Sequence, residues 1–135
     1  MSTKEIFETS FPVRYVESDQ MGFVHHSNYL VWMEEGRSQY MRAKGLGYEQ
    51  VERAGAFLAV TEVAVRYLVP ARYGDNVTVR TWIESLRSRS VTFGYEIRHT
   101  TSSVLLATGQ VKLIWIDRHG RVTTMPVSVR GLLSD

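Results

Sequence analysis

Cysteine is absent from the 135-residue sequence, so disulfides, thiolate metal sites and a cysteine nucleophile are excluded, a composition that suits a reducing compartment. No apolar run is long enough to cross a bilayer. The N-terminal MSTKEIFETSF lacks the apolar core of a secretory signal, and the expected address is the cytoplasm. A strong charge of either sign is also missing. The formal net charge is +2, Lys and Arg are scattered, and no basic stripe with interleaved aromatics points to nucleic acid. Nor is there an internal repeat, a linker or a low-complexity tract. What remains is an ordinary globular composition, 44% apolar and 22% charged, at a length that fits one compact domain across residues 1–135.

Two periodicities divide the chain. Apolar spacing near 3.6 predicts a helix over 29–44, with Tyr29, Trp32, Met33, Gly36, Tyr40 and Ala43 on one face and Glu35, Ser38 and Arg42 opposite. Glycine inside a helix costs about 1 kcal/mol against alanine, so Gly36 at the centre of the stripe predicts close approach to another backbone. Ser27 or Asn28 can cap the first turn, and Gly45 or Gly47 can end the last. A short strand is expected over 11–16. From Phe57 the period changes to two: Val77, Val79 and Ile83 alternate with Thr78, Arg80 and Glu84, and Val91, Phe93, Tyr95 and Ile97 with Thr92, Glu96 and Arg98. The run 104–117 is apolar on both faces in places, as a strand inside a sheet is, and 126–133 reads as a small terminal helix. Turn residues separate the strands, and short turns predict that consecutive strands are antiparallel neighbours. The order strand, helix, four strands gives an α+β domain, a sheet of about five antiparallel strands around one long helix. Its second face and an edge strand stay uncovered, so a homodimer at least is expected.

Between the first strand and the helix stands ESDQMGFVHHSNYLVWMEEG, residues 17–36. The elements Tyr15-x-Glu17-x-Asp19-x-x-Gly22-x-Val24-x-His26-x-Asn28-Tyr29, ahead of a helix and four strands, resemble the hot-dog-fold acyl-CoA thioesterases of the 4-hydroxybenzoyl-CoA thioesterase and YbgC-like family, over nearly the whole chain. Ser18 stands where that family often has Thr or Cys, and Met21-Gly22-Phe23 where Ala-Gly-Gly or Ala-Gly-Ile is usual. The resemblance implies a hot-dog fold, with the sheet wrapped around a central helix, and an obligate dimer that often pairs into a dimer of dimers. It implies hydrolysis of an acyl-CoA thioester with no metal and no separate cofactor, coenzyme A entering as part of the substrate. Carried over by position, Asp19 is the catalytic carboxylate, and His26 is the residue whose backbone N–H meets the thioester carbonyl.

Thioester chemistry explains why such residues are needed. Attack on the carbonyl passes through an oxyanion, and the first turn of a helix supplies free N–H groups and a partial positive charge. One such donor is worth about 3–4 kcal/mol of barrier. Asp19 can attack directly, giving a mixed anhydride, or deprotonate a water; thiolate leaves readily, so no strong acid is required. The His26 imidazole can orient Asp19 or donate to the carbonyl. Gly22 lets the chain turn and a substrate come close. Val24, Asn28 and Tyr29 complete the substrate-binding set at the helix start, with Tyr29 placed to line an acyl pocket. His25 reads equally as cleft wall or as a solvated residue. Arg87, Arg89 and Ser90 form a basic, hydroxyl-bearing turn suited to the phosphates of coenzyme A, a solvated hairpin tip being the competing reading. A metal site is not expected: adjacent histidines such as His25 and His26 are expected to point apart, and no H-x-x-x-H or H-E-x-x-H spacing occurs. Glu34 and Glu35 lie off the apolar stripe and read as solvated or interface charges. A hydratase or dehydratase acting on acyl thioesters would need a histidine and a helix carboxylate around the β-carbon, a pair not evident here. A non-catalytic acyl-CoA sensor would carry a DNA-binding segment, for which residues 1–10 are too short.

Overall fold

Residues that alternate in the second half of the chain resolve into a sheet. The computed structural model describes residues 5–134. Among them β1 (Phe7–Pro12) leads through a 3-10 turn (Tyr15–Glu17) to a long helix α1 (Ser27–Ala43) and a short helix α2 (Tyr48–Arg53). Four strands follow, β2 (Phe57–Tyr67), β3 (Asn76–Leu86), β4 (Ser90–His99) and β5 (Leu105–Ile116), then a terminal helix α3 (Val127–Leu133). All neighbouring strands are antiparallel, in the order β1-β3-β4-β5-β2, which is the expected α+β arrangement. On β4 the predicted alternation holds: Val91, Phe93, Tyr95 and Ile97 are buried. The opposite face carries charge, with the Glu96 carboxylate held between Arg80 and Arg98 at 2.7 Å each.

Several expectations are corrected. The first strand ends at Pro12, not at 16, because the Val13 N–H turns to the Asp75 carbonyl (2.8 Å) and the Glu17 side chain accepts the Arg14 N–H (2.8 Å), bending the chain. The helix begins at Ser27, and His26, not Ser27 or Asn28, is its N-cap. Ser27 Oγ instead pairs with His25 Nδ1 (2.8 Å), and the Asn28 amide donates to the Glu17 carbonyl (3.1 Å). Gly45 does follow the helix end, with φ +78°. Ala43 is exposed, while Arg37 and Met41 join the buried face; Arg37 does so by donating to the Tyr95 hydroxyl at 3.2 Å. Helix α2 was not expected from the sequence. Finally, β2 and β3 are consecutive but not neighbours, since β2 pairs with β5 at the far edge. The connection 68–75 therefore crosses the end of the sheet, tied to α1 by the Ala71 N–H on the Tyr29 hydroxyl (3.0 Å).

Helix α1 lies inside the curve of the sheet and touches every strand. Tyr40 meets Phe7 of β1 and Phe93 of β4 edge-on, Tyr29 meets Tyr67 of β2, and Met33 lies over Gly109 of β5. The tightest contact is with β3, where a Cβ on Gly36 would stand 2.5 Å from Thr81 Oγ1 and 2.8 Å from Val79 Cγ1. Both are short, branched, buried side chains that cannot swing away. Burying side chains such as Trp32, Met33 and Tyr40 stabilises the layer by about 1.5–3 kcal/mol each. One flank stays open. Along the edge strand β2, Val60 and Val63 are 50% and 46% exposed.

Gly36→Ala is expected to destabilise the protein by about 1–3 kcal/mol through overpacking, although alanine gains about 1 kcal/mol in an open helix. Adding Thr81→Ala, which removes a hydroxyl that has no partner among the described residues, is expected to return part of the loss. Urea unfolding measures both; a Gly36→Ala protein as stable as wild type would contradict the close approach.

Candidate functional site

Asp19 begins a tight hairpin. Its N–H bonds the Phe23 carbonyl (2.7 Å), its own carbonyl accepts the Gly22 N–H (3.0 Å), and Gly22 takes φ +83°. This is a three-residue loop closed by a left-handed glycine, a conformation that a Cβ would strain. The Asp19 side chain holds the turn from within: Oδ1 accepts the N–H groups of Met21 (2.8 Å) and Phe23 (3.1 Å). Its Oδ2 has no partner among the described residues, and the side chain is exposed. The hairpin docks on the crossing connection through the Val24 N–H on the Ala71 carbonyl (2.9 Å) and the Tyr73 N–H on the Gly22 carbonyl (3.1 Å), with Arg72 over the Phe23 ring at 4.7 Å.

The hairpin returns directly into the N-terminus of α1. There the Asn28 N–H bonds the His25 carbonyl (3.0 Å), the Tyr29 N–H bonds the His26 carbonyl (3.2 Å), and the Ser27 N–H reaches His25 Nδ1 (3.3 Å). The His26 N–H is left without a partner among the described residues. The first turn contains no acidic residue, so nothing within it offsets the positive end of the helix dipole. Beside His26 opens a cavity of about 210 Å³ lined by Val24, His26, Tyr29, Tyr67, Leu68, Val69 and Pro70. Tyr67 donates its hydroxyl to the His26 carbonyl (3.1 Å). Tyr67, Leu68, Val69 and Pro70 were missed in the sequence because they belong to no local motif. The signal they carry is a strand that runs into a proline-ended apolar segment.

Glu17 is the buried carboxylate of this region, 2% exposed. It accepts hydrogen bonds from the Arg14 N–H (2.8 Å), the Arg14 guanidinium (3.1 Å) and the Trp32 indole (2.8 Å). Burial pushes its carboxyl up, but these bonds and the Arg14 charge outweigh burial and hold it below the ordinary value of 4.5.

The structure gathers Val24, His26 and Tyr29 around one cavity, with Asn28 on the adjoining turn. Asp19 stands on the neighbouring hairpin and is not among the residues lining that cavity. His25 is exposed, and its ring stacks on His26 with centroids 4.4 Å apart, so the two side chains do not diverge as expected. Helical backbone at His26, with the His25 ring tied to Ser27 through Nδ1, brings the rings to one side. No group of three or more His, Asp or Glu among the described residues is arranged to hold a metal ion. Arg87, Arg89 and Ser90 lie elsewhere. Their turn closes through the Arg87 N–H on the Ser90 carbonyl (2.9 Å), Ser90 is buried, and it sits opposite Ile114, whereas Tyr67 sits opposite Ala107. From Ala107 to Ile114 is seven steps of β5, about 23 Å at roughly 3.3 Å per residue. Within one protomer the basic turn and the His26 cavity are at opposite ends of the sheet.

Comparison with known proteins gives a consistent picture. Residues 13–133 match the model of the Thioesterase-like superfamily. The "Putative acyl-CoA thioesterase YneP" of Bacillus subtilis is 41% identical over 97 residues, 72% of this chain and 67% of that protein. Among solved structures, the hypothetical protein TT1821 of Thermus thermophilus superposes with a TM-score of 0.89 at 37% identity, covering 96% of each chain. The DHNA-CoA thioesterase of Staphylococcus aureus superposes with a TM-score of 0.83 at 31% identity, covering 88% of this chain and 80% of that one.

The lowered Glu17 carboxyl generates a prediction with a definite sign. A group whose value is lower folded than unfolded stabilises the protein above the unfolded value, and that share is lost as pH falls through the folded one. Wild-type stability is therefore expected to drop as pH falls below about 4.5, and Glu17→Gln is expected to be less stable at pH 7 with a flatter acid limb. Parallel acid limbs in urea titrations of the two proteins would contradict the assignment.

Proposed function

From a chain that belongs to the Thioesterase-like superfamily, we propose hydrolysis of acyl-CoA thioesters to a free carboxylic acid and coenzyme A. The observation that carries this reading is the His26 N–H, without a partner among the described residues, at the start of α1 beside an apolar cavity. An amide held in that state by the fold can donate to a developing oxyanion without first giving up another partner. The acyl group occupies the space between Tyr29, Tyr67, Leu68 and Val69, and the carbonyl oxygen faces the His26 amide.

Asp19 supplies the second part. Oδ1 is spent on the hairpin, while Oδ2 is available either to attack the carbonyl carbon or to take a proton from an attacking water. In the water route the C–O bond forms as Asp19 takes a proton from the water and the carbonyl π electrons move to the oxygen facing the His26 amide; collapse of that oxyanion breaks the C–S bond, and the thiolate leaves with its electrons and takes up the proton from Asp19. The direct route gives an anhydride that water then opens. In both, the sum is thioester plus water to acid plus thiol.

Completion of the site calls for a second protomer. The 11-residue β2 is an edge with unpaired backbone groups and exposed valines, a surface that soluble proteins seldom leave open. Pairing of β2 with its own copy about a twofold axis is antiparallel, so the Phe57 end of one strand lies beside the Tyr67 end of the other. The 87–90 turn is at the Phe57 end of its sheet, since Leu58 is opposite Trp115. The dimer thus carries the basic turn of one chain, with Arg87 and Arg89, toward the cavity of the other, where the phosphates of coenzyme A emerge. On this reading the enzyme works in the cytoplasm.

Thiol release from a panel of aliphatic and aromatic acyl-CoAs tests the proposal. Asp19→Asn keeps an oxygen for the Met21 and Phe23 N–H groups but removes the charge. It is expected to fold normally and to lose about 10²–10⁴-fold in rate, the usual span for a positioned acid or base. The active species is expected to sediment at twice the protomer mass or more. Equal release by the variant would remove Asp19 from the chemistry, and a fully active monomer would remove the second protomer from the site.

A further inference from the structure

The hydrolytic reading gives no part to Glu17, yet no other carboxylate in the region is buried. Its side chain receives three hydrogen bonds, two from Arg14 and one from the Trp32 indole of α1. Its main chain does separate work. The Glu17 carbonyl accepts the His25 N–H at 3.0 Å and the Asn28 side-chain amide at 3.1 Å. With its own N–H on the Arg14 carbonyl at 3.0 Å, six bonds meet at this one residue, joining the segment that leads into Asp19, the segment that leads out to His26, and the first two turns of α1.

That junction has a geometric consequence. The His25 N–H is held by Glu17, and the next amide along the chain is that of His26, which has no partner among the described residues. Two residues on the other side of Glu17 lies Asp19, whose hairpin is closed by the pairing of Ser18 with Val24. A shift of the Glu17 backbone would pass to Asp19 through the chain and to the His26 amide through the His25 bond, altering the separation of the two reacting groups. The carboxylate prevents such a shift by anchoring residue 17 to the Trp32 indole, a side chain 2% exposed and fixed in the core. Arg14 closes the same carboxylate from the solvent side.

We propose that Glu17 is a positioning residue for thioester hydrolysis: its buried carboxylate, anchored on Trp32, sets the distance between the Asp19 carboxylate and the His26 amide. The inference rests on the hydrolytic reading above. Glu17 does not touch the reacting atoms; it acts through the two strands that carry them. Small displacements of such groups carry large losses in rate, on the order of 10²-fold for about 1 Å.

The test uses Glu17→Gln, which keeps size but offers an amide nitrogen to two donors, and Trp32→Phe, which removes one donor and keeps most of the volume. Val129→Ala, in a buried position of α3, serves as a control for lost stability alone. Each full-length protein is assayed for thiol release at a temperature where it is fully folded, and hydrogen–deuterium exchange is followed over 17–29. The expected result is a fall in kcat of about 10- to 100-fold for Glu17→Gln with KM within about two-fold, a smaller fall for Trp32→Phe, and faster exchange confined to 17–29. Val129→Ala is expected to keep wild-type kcat. Should Glu17→Gln fail to fold, Trp32→Phe decides by the same two readouts. Wild-type kcat with unchanged exchange over 17–29 would overturn the proposal. A wild-type protein that releases no thiol from any acyl-CoA would instead overturn the hydrolytic reading, and the exchange pattern would still decide whether Glu17 holds the hairpin.

Discussion

The approach of α1 to β3 at Gly36 governs the rest of the molecule. With no Cβ between them, helix and strand come close enough for Thr81 and Val79 to fill the gap, and the sheet can curve around the helix so that all five strands touch it. A helix seated at that depth has its N-terminus fixed relative to both edges of the sheet. The connection from the far edge strand β2 back to β3 must then pass in front of that N-terminus, where Ala71 bonds both Tyr29 and Val24. The cavity beside His26 is the space between this crossing chain and the helix start. Helix depth, strand order and site are thus one geometric fact seen at three scales.

Buried polar groups follow the same plan. Glu17 is fully paired, as a carboxylate out of water must be. Arg37 is buried with no carboxylate paired to it among the described residues; it donates to the Tyr95 hydroxyl, whose own value burial pushes up to about 12. The phenol therefore stays neutral and accepts from the guanidinium. Toward the solvent flank of α1, in contrast, β2 leaves valines exposed at its open edge. The protomer is closely packed where Gly36 of the helix meets β3 and poorly covered along β2, the edge at which we propose that a second copy pairs.

Much of this was legible in the residues themselves. The stripe Tyr29, Trp32, Met33, Gly36 and Tyr40 shows a helix because its period is local, and Gly36 in that stripe signals close packing because glycine there has a cost. The Asp19-x-x-Gly22 turn and the alternation of β4 are equally local. Features that depend on distant partners were not legible. Arg37 looks like a surface charge until Tyr95, 58 positions away, is brought beside it. The edge position of β2 depends on its pairing with β5, and with it the membership of Tyr67, Leu68 and Val69 in the cavity. His26 caps the helix with no side-chain bond, so the usual capping residues nearby, Ser27 and Asn28, pointed one or two residues too far in. Helix α2, at six residues, is too short to display a period. The basic turn at Arg87 and Arg89 was readable as a turn, but its distance from His26 within one protomer is a property of the sheet as a whole.

A crystal structure with a non-hydrolysable acyl-CoA analogue, its thioester sulfur replaced by methylene, tests the central claim most directly. The account predicts the analogue's carbonyl oxygen about 2.7–3.1 Å from the His26 amide nitrogen, with Asp19 Oδ2 directed at the carbonyl carbon or at a water beside it, in a cleft closed by a second protomer. A carbonyl bound away from the His26 amide, with Asp19 facing a separate cavity in every protomer, would contradict it.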